Sequence, residues 1–280
     1  MTRFLLFIVL LVLLIGLSAC RDQPKPSTAG PTVHILAPLP MPGLDRSRTL
    51  RVYLPPSYAT SDRRYPVIYM HDGQNLFDAA TSYAGEWGVD ESMDALARTH
   101  GFEAIVVGID NGGDKRMNEL SAWPHAEFGA AEGAQYLAFV VEVVKPHIDQ
   151  HYRTDPARHL TAIMGSSMGG LASHYAMHAR PDVFALAGVL SPSYWAAPQL
   201  YDEAQAKLLP ADARMYVYAG GKEGAQMTDG AKRMHAQLSA SSPAHNLTLH
   251  IEDAADHNEA AWRAEFPRVV TWLYGLKPLE

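Results

Sequence analysis

The segment Gly165-Ser166-Ser167-Met168-Gly169 lies between an apolar run, Leu160 to Met164, and an alanine-rich stretch, Met168 to Ala179. A Gly-x-Ser-x-Gly between a strand and a helix reads as a nucleophile elbow with Ser167 at its tip. The tight turn forces strained backbone angles on the serine. Strand and helix also approach too closely for side chains at the flanking positions, so glycine stands there. The result is a hydroxyl lifted into the open beside the amides of a helix N-terminus. A serine hydroxyl is a poor nucleophile at neutral pH, so it needs a general base, and the base needs an orienting acid.

In elbow enzymes those partners follow the serine along the chain, first the acid and then the histidine. Six histidines lie downstream: His174, His178, His235, His245, His250 and His257. His174 and His178 sit on the helix that follows the elbow and are assigned to packing or solvent. His235 falls mid-helix and His250 within a strand. His257 stands in the polar stretch Asp253-Ala254-Ala255-Asp256-His257-Asn258-Glu259, after the last strand and before the last helix, where a base can hang over the serine. The acid belongs in the loop after the preceding strand, Gly220-Gly221-Lys222-Glu223-Gly224. Glu223 is the best-placed carboxylate and Asp229 the next, while Asp253 and Asp256 occupy the wrong loop. A serine–histidine dyad without an acid is the alternative.

A tetrahedral intermediate needs an oxyanion hole of preorganised amides. One donor is the N–H of Met168, directly after the nucleophile. The second is expected in His71-Asp72-Gly73-Gln74-Asn75, where Gly73 permits an unusual turn and the Gln74 N–H is the candidate. His71 and Asp72 lack the paired spacing of a metal site, and no metal is expected.

The elements that must hold these groups alternate. Strand-like runs are Val33–Leu36, Thr49–Leu54, Pro66–Met70, Ala104–Ile109, the elbow strand, Phe184–Leu190, Arg214–Ala219 and Leu247–Ile251. Helical patterns span Val89–Thr99, Glu132–Tyr152, Met168–Ala179, Gln226–Ser239 and Glu259–Tyr274. Short continuous apolar runs are the mark of strands covered on both faces. Alternation of this kind predicts an α/β fold with a mostly parallel sheet, whose ligands bind at the carboxyl ends of the strands.

The net charge of −7 over 280 residues excludes a broadly basic nucleic-acid binder. At the N-terminus Arg3 precedes a nearly pure apolar run, Phe4 to Leu17, and then Leu17-Ser18-Ala19-Cys20. This is a signal peptide over residues 1–19, too short to span a membrane comfortably. Leu-Ser-Ala-Cys resembles the bacterial lipoprotein signal, in which Cys20 becomes the lipidated first residue. Arg21 after the cysteine then points to the outer membrane of the cell envelope. Cys20 is the only cysteine, so the body after it has neither disulfide nor thiol nucleophile. Residues 20–32, rich in proline and polar side chains, read as the anchor and a flexible tether. Residues 33–280 form one domain.

Several longer stretches carry a family resemblance. They are Arg51–Pro56, Tyr65–Asp78, the elbow Gly165–Gly170, Ser191-Pro192-Ser193-Tyr194-Trp195 and His257-Asn258-Glu259-Ala260-Ala261-Trp262. With these the chain resembles the "putative esterase" family of α/β-hydrolases. That family includes enterobactin-type siderophore esterases, feruloyl and acetylxylan esterases, S-formylglutathione hydrolase and mycolyltransferases. The resemblance implies an α/β-hydrolase fold with helices on both faces of the sheet. It implies a cofactor-free enzyme on small-molecule or carbohydrate esters, with Ser167 as nucleophile, His257 as base, and Gln74 and Met168 as oxyanion amides. It further implies that Arg116 and Trp195 line the substrate cleft. Many members carry Asp where Glu223 is offered here. An acyltransferase of the same fold and a non-catalytic lipid-anchored binding protein are the competing readings. A histidine base predicts that activity falls below roughly pH 6 to 7.

Overall fold

The computed structural model describes residues 25–241, 243 and 246–279. The signal-peptide and Cys20 readings lie outside these residues. In chain order the strands are β1 (Val33–Ile35), β2 (Leu39–Met41), β3 (Arg46–Arg48), β4 (Leu50–Tyr53), β5 (Val67–His71), β6 (Ile105–Ile109), β7 (Thr161–Ser166), β8 (Leu186–Leu190), β9 (Arg214–Gly220) and β10 (Leu247–Glu252). The helices are α1 (Val89–His100), α2 (Arg116–Glu119), α3 (Gly133–Phe139), α4 (Lys145–His151), α5 (Met168–Ala179), α6 (Gln199–Ala206), α7 (Ala225–Ser239) and α8 (Glu259–Tyr274). A π-helical stretch, Val140–Val144, joins α3 to α4.

Eight strands form one sheet in the order β1-β4-β6-β5-β7-β8-β9-β10, and β2 pairs with β3 in a separate hairpin. Every pairing from β6 to β10 is parallel, whereas β4 runs antiparallel to both β1 and β6. Every residue of β5, β6, β7 and β8 is buried, because helices cover both faces. On one face Leu171 and Ala176 of α5, Leu200 of α6 and Met234 of α7 pack with Val140 and Ile148. On the other, Met93 and Leu96 of α1 meet Phe266, Val269 and Val270 of α8. The expected α/β architecture, with a mostly parallel sheet between helical layers, is the observed one.

The strand order fixes where a site can form. From β5 the chain crosses to β6 on one side, whereas from β7 it proceeds to β8 on the other. The neighbouring strands β5 and β7 therefore send their carboxyl-terminal loops in opposite directions, and a crevice opens between them. Those two loops carry the Asp72–Asn75 turn and Ser167.

Several parts of the fold differ from the sequence reading, which contains no β2–β3 hairpin, no α2, no α6 and no π-helical stretch. Residues 27–30, expected to swing as part of the tether, are docked. Ser27 Oγ and the Thr28 amide donate to Asp78 at 2.9 and 3.1 Å, and the Gly30 amide donates to Asp90 at 2.9 Å. The same polar composition that suggests a solvated tether supplies the donors that these carboxylates require. Among the described residues no helix is long and apolar enough to cross a membrane.

The elbow tolerates no added methyl group. A Cβ on Gly170 would fall 2.7 Å from the backbone oxygen of Leu190, which the sheet holds in place. Gly170→Ala is expected to destabilise the fold by about 2 kcal/mol or more in urea denaturation. A Cβ on Gly230, in the middle of α7, would meet Tyr201 Oη at 3.5 Å and Tyr194 at 3.7 Å, both ordinary contacts. Gly230→Ala should instead be neutral or stabilising by up to about 1 kcal/mol.

Candidate active site

Ser167 holds φ 56° and ψ −119° at the point where β7 turns into α5. Such a conformation costs a non-glycine residue on the order of 1–3 kcal/mol. The surrounding backbone over-determines it: the Ser167 amide donates to Leu190 O at 2.9 Å, and its carbonyl accepts from Ser193 N at 3.1 Å and Leu171 N at 3.1 Å. The Ser167 hydroxyl lies 3.1 Å from that of Ser193. It borders a cavity of about 860 Å³ whose lining includes Gln74, Arg116, His257 and Trp262. Among the described residues no hydrogen bond joins Ser167 to His257, although both border this cavity. Rotation of the serine about its Cα–Cβ bond would exchange the Ser193 contact for others.

His257 Nδ1 lies 3.1 Å from Glu223 Oε2, and the Glu223 side chain is fully buried. That carboxylate is otherwise met by hydrogen-bond donors: the Gly220 amide at 2.8 Å and Ser191 Oγ at 2.5 Å, both on Oε1. The loops after β9 and β10 thus bring together the two residues that the sequence placed there. Asp229, Asp253 and Asp256 make no contact with His257 in the hydrogen-bond network of the described residues.

The β5 loop is built around Asp72, which has φ 58° and ψ 46°, a left-handed conformation that Asp tolerates better than most residues. Its carboxylate takes a bidentate pair from Arg116 Nε and Nη2 at 2.6 and 2.8 Å, and a third bond from Asn111 Nδ2 at 2.6 Å. Burial opposes charge on Asp72, but the guanidinium and the hydrogen bonds outweigh it and hold the pKa below the ordinary carboxylate value. Arg116 borders the cavity that Ser167 and His257 share, with two of its nitrogens already committed. The Gln74 side chain is committed too, accepting the Asn111 amide at 3.0 Å on Oε1. The Gln74 and Met168 amides have no hydrogen-bond partner among the described residues. Met168 opens α5 and Gln74 lies in the single 3-10 turn Gly73–Asn75, where the first amides lack intrahelical acceptors.

Trp195 is placed elsewhere. It borders a second, shallower cleft with Tyr194, Tyr201 and Arg233, and sets its ring edge-on to His125 and Phe128. The turn Tyr194–Ala196 buries Tyr194 and leaves Trp195 38% exposed. The sequence reading missed Ser193, the neighbour of the nucleophile hydroxyl, and Tyr83, which stands 91% exposed on the cavity rim.

His71 and Asp72 do not share a metal-ligand geometry. His71 Nδ1 bonds Tyr136 Oη at 2.8 Å, while Asp72 is taken up by Arg116. Glu86, Asp90 and Glu91 form the one close group of three potential ligands among the described residues, at the start of α1. His174 and His178 are packed, as expected. His174 joins Tyr194 Oη at 2.8 Å and His178 Nε2 at 3.1 Å, and His178 Nδ1 joins the Lys207 carbonyl at 2.6 Å.

Residues 42–273 match the family model described as "Putative esterase", and the chain belongs to that family. It is 27% identical over 244 residues to "Uncharacterized protein YbbA" of Bacillus subtilis, spanning 82% of this chain and 93% of that one. It is 24% identical over 233 residues to an endo-1,4-beta-xylanase/feruloyl esterase of Xylanibacter ruminicola, covering 82% of this chain but only 30% of that protein. The enterobactin esterase FES of Shigella flexneri, solved in the presence of enterobactin, superposes with a TM-score of 0.70 at 20% identity. That match covers 91% of this chain and 61% of that one.

The buried imidazoles set an acid limit on stability. Burial pushes His71 down to about 4 from the ordinary 6.5, and lowers His174 and His178 as well. Between the folded and ordinary values the unfolded chain binds more protons than the native one, so stability falls as pH drops through that window. For His71 the loss between pH 6.5 and about 4 is on the order of 3 kcal/mol. Urea denaturation between pH 6.5 and 5 should show net proton uptake on unfolding, the three imidazoles outweighing the proton released by Asp90, whose carboxyl burial pushes up to about 7. A pH-independent midpoint across that window would refute the assignment of these histidines as neutral.

Proposed function

We propose that the protein is a serine esterase that hydrolyses carboxylic esters through an acyl-enzyme, with Ser167 as nucleophile, His257 as base and Glu223 as acid. The observation that carries this reading is the buried Glu223 carboxylate held against His257 Nδ1, on an imidazole that shares a cavity with the strained Ser167. An Nδ1–H directed at Glu223 leaves Nε2 as the proton acceptor toward the cavity. In the first step Nε2 takes the Ser167 proton as Oγ attacks the ester carbonyl. The oxyanion is received by the Gln74 and Met168 amides, at the N-terminus of α5 where the helix dipole also favours negative charge. The alcohol departs with the proton from His257. Water then attacks the acyl-enzyme by the same proton transfers, releasing the acid and restoring Ser167.

The lining supports polar substrates. Asn75, Asn111, Asp114, Arg116 and Glu259 border the cavity, together with the exposed ring of Tyr83. This suits siderophore esters or acyl groups on carbohydrate, in keeping with the enterobactin esterase and the xylanase/feruloyl esterase among its relatives. The apolar run Phe4–Leu17 and Cys20 support action at the bacterial cell envelope from a lipid anchor.

A fluorophosphonate probe is expected to label Ser167 alone, as mapped on the peptides, and to leave Ser167→Ala unlabelled. Absence of labelling on folded protein would favour a binding role instead. Glu223→Gln should lower kcat on an activated ester by about 100-fold or more with little change in KM. A loss under about two-fold would leave a serine–histidine dyad as the mechanism.

A further inference from the structure

We infer that Ser191 and Trp262 are positioning residues that align the Glu223 carboxylate and the His257 imidazole, a role that rests on the serine-esterase reading above. Ser191 follows β8 directly and is fully buried, yet it holds φ 44°, the left-handed region that glycine occupies without strain. Its amide donates to Tyr218 O at 2.7 Å, so the backbone is pinned in that conformation by the sheet. Glycine would satisfy the backbone there better than serine. What serine adds is a hydroxyl, and both partners of that hydroxyl belong to the site.

The direction of the bonds follows from the donor inventory. An indole N–H can only donate, and Trp262 Nε1 lies 2.9 Å from Ser191 Oγ. The serine must therefore accept from the indole, and its single proton goes to Glu223 Oε1 at 2.5 Å. The Gly220 amide reaches the same oxygen at 2.8 Å. Two donors hold Oε1, which orients the carboxylate so that Oε2 faces His257. The same indole stands edge to face against the His257 ring, with centroids 5.0 Å apart and planes at 86°. It is backed in turn by Trp87, with centroids 5.7 Å apart.

The local fold sets the register between these groups. Asn258 caps α8, accepting the Ala261 amide on its side chain at 3.0 Å and the Trp262 amide on its carbonyl at 3.2 Å. The helix therefore begins directly after His257 and returns Trp262 beneath the imidazole. One side chain supports the base by packing and the acid through the Ser191 hydroxyl.

The test uses Ser191→Gly, Trp262→Phe and their combination in the full chain, assayed on p-nitrophenyl acetate beside Ser167→Ala. Ser191→Gly removes the hydroxyl and the strain together. It is expected to lower kcat about 10-fold, with KM within about two-fold and Tm maintained or raised. Trp262→Phe keeps a ring against His257 but loses the indole donor together with part of the packing on Trp87, and a similar fall in kcat is expected. The double variant should lose no more than about the larger single loss, because hydroxyl and indole act in one chain. Full kcat in both Ser191→Gly and Trp262→Phe overturns the inference, and so does a fall in kcat that only tracks a fall in Tm. If Ser167→Ala itself keeps its activity, the esterase reading has failed, which is a separate and distinguishable result.

Discussion

Reversal of the chain at Ser167 within a single residue is the constraint on which the rest of the structure depends. The turn requires strand and helix to meet at Gly165 and Gly169, where an added Cβ on the first would lie 2.9 Å from backbone carbon of the second. It also requires β8 alongside, since Leu190 O receives the Ser167 amide and the backbone after β8 returns the Ser193 amide to the Ser167 carbonyl. The strain is not confined to one residue. Asp72, Ser167 and Ser191 all have positive φ, and they end β5, β7 and β8, three adjacent strands of the sheet. Only one other non-glycine residue among those described, Asp45, shares that conformation. Unfavourable backbone geometry is concentrated at the carboxyl ends of the central strands, on both sides of the crevice, where fully buried strands can hold it.

The same crevice solves the problem of a buried carboxylate in two ways. Asp72 is matched by a guanidinium, which neutralises it and fixes the loop that carries Gln74. Among the described residues Glu223 has no Lys or Arg beside it, and is held by an amide and a hydroxyl. An Arg at Glu223 would satisfy the carboxylate permanently and remove its attraction for an imidazolium. Neutral donors leave that charge directed at the imidazole beside it. Asp72 is thus held by a fixed cation, and Glu223 by groups that do not neutralise it.

The sheet was legible because its central strands are apolar throughout and separated by helical patterns, so that the helices Met168–Ala179 and Glu259–Tyr274 fall where periodicity places them. The β2–β3 hairpin escaped because Leu39-Pro40-Met41 and Arg46-Ser47-Arg48 show no clear alternation and one contains proline. The π-helical stretch escaped because Val140, Val141, Val144 and Ile148 satisfy an ordinary helical spacing equally well. At the site, the placement of His257 and Glu223 follows from topology alone, since each need only stand in the loop after a given strand. The pairing of Asp72 with Arg116 across 44 positions depends on a left-handed backbone that no residue type announces. Trp195 was misplaced for a related reason. Which of two adjacent aromatic residues turns inward is decided by a short helical turn, and there Tyr194 goes in and Trp195 out.

This division has a consequence for specificity. Groups proposed for bond making and breaking sit at strand ends or at the first turn of a helix, where the sheet limits their movement. The groups that would meet the rest of a substrate, Tyr83, Asn111, Asp114 and Arg116, come from the connections after β5 and β6. Loops of this kind can change length and composition without disturbing a scaffold that is buried on both faces. Low identity to neighbours that share the fold is then what the physics leads one to expect, since the strongest geometric constraints fall on the elbow, the Asp72–Asn75 turn and the Glu223–His257 pair. Arg116 joins the two regimes: its fork is fixed by Asp72 at the strand end, while its backbone belongs to a helix of only four residues. Under the esterase reading, substitutions around such a residue would change substrate choice without touching Ser167, His257 or Glu223.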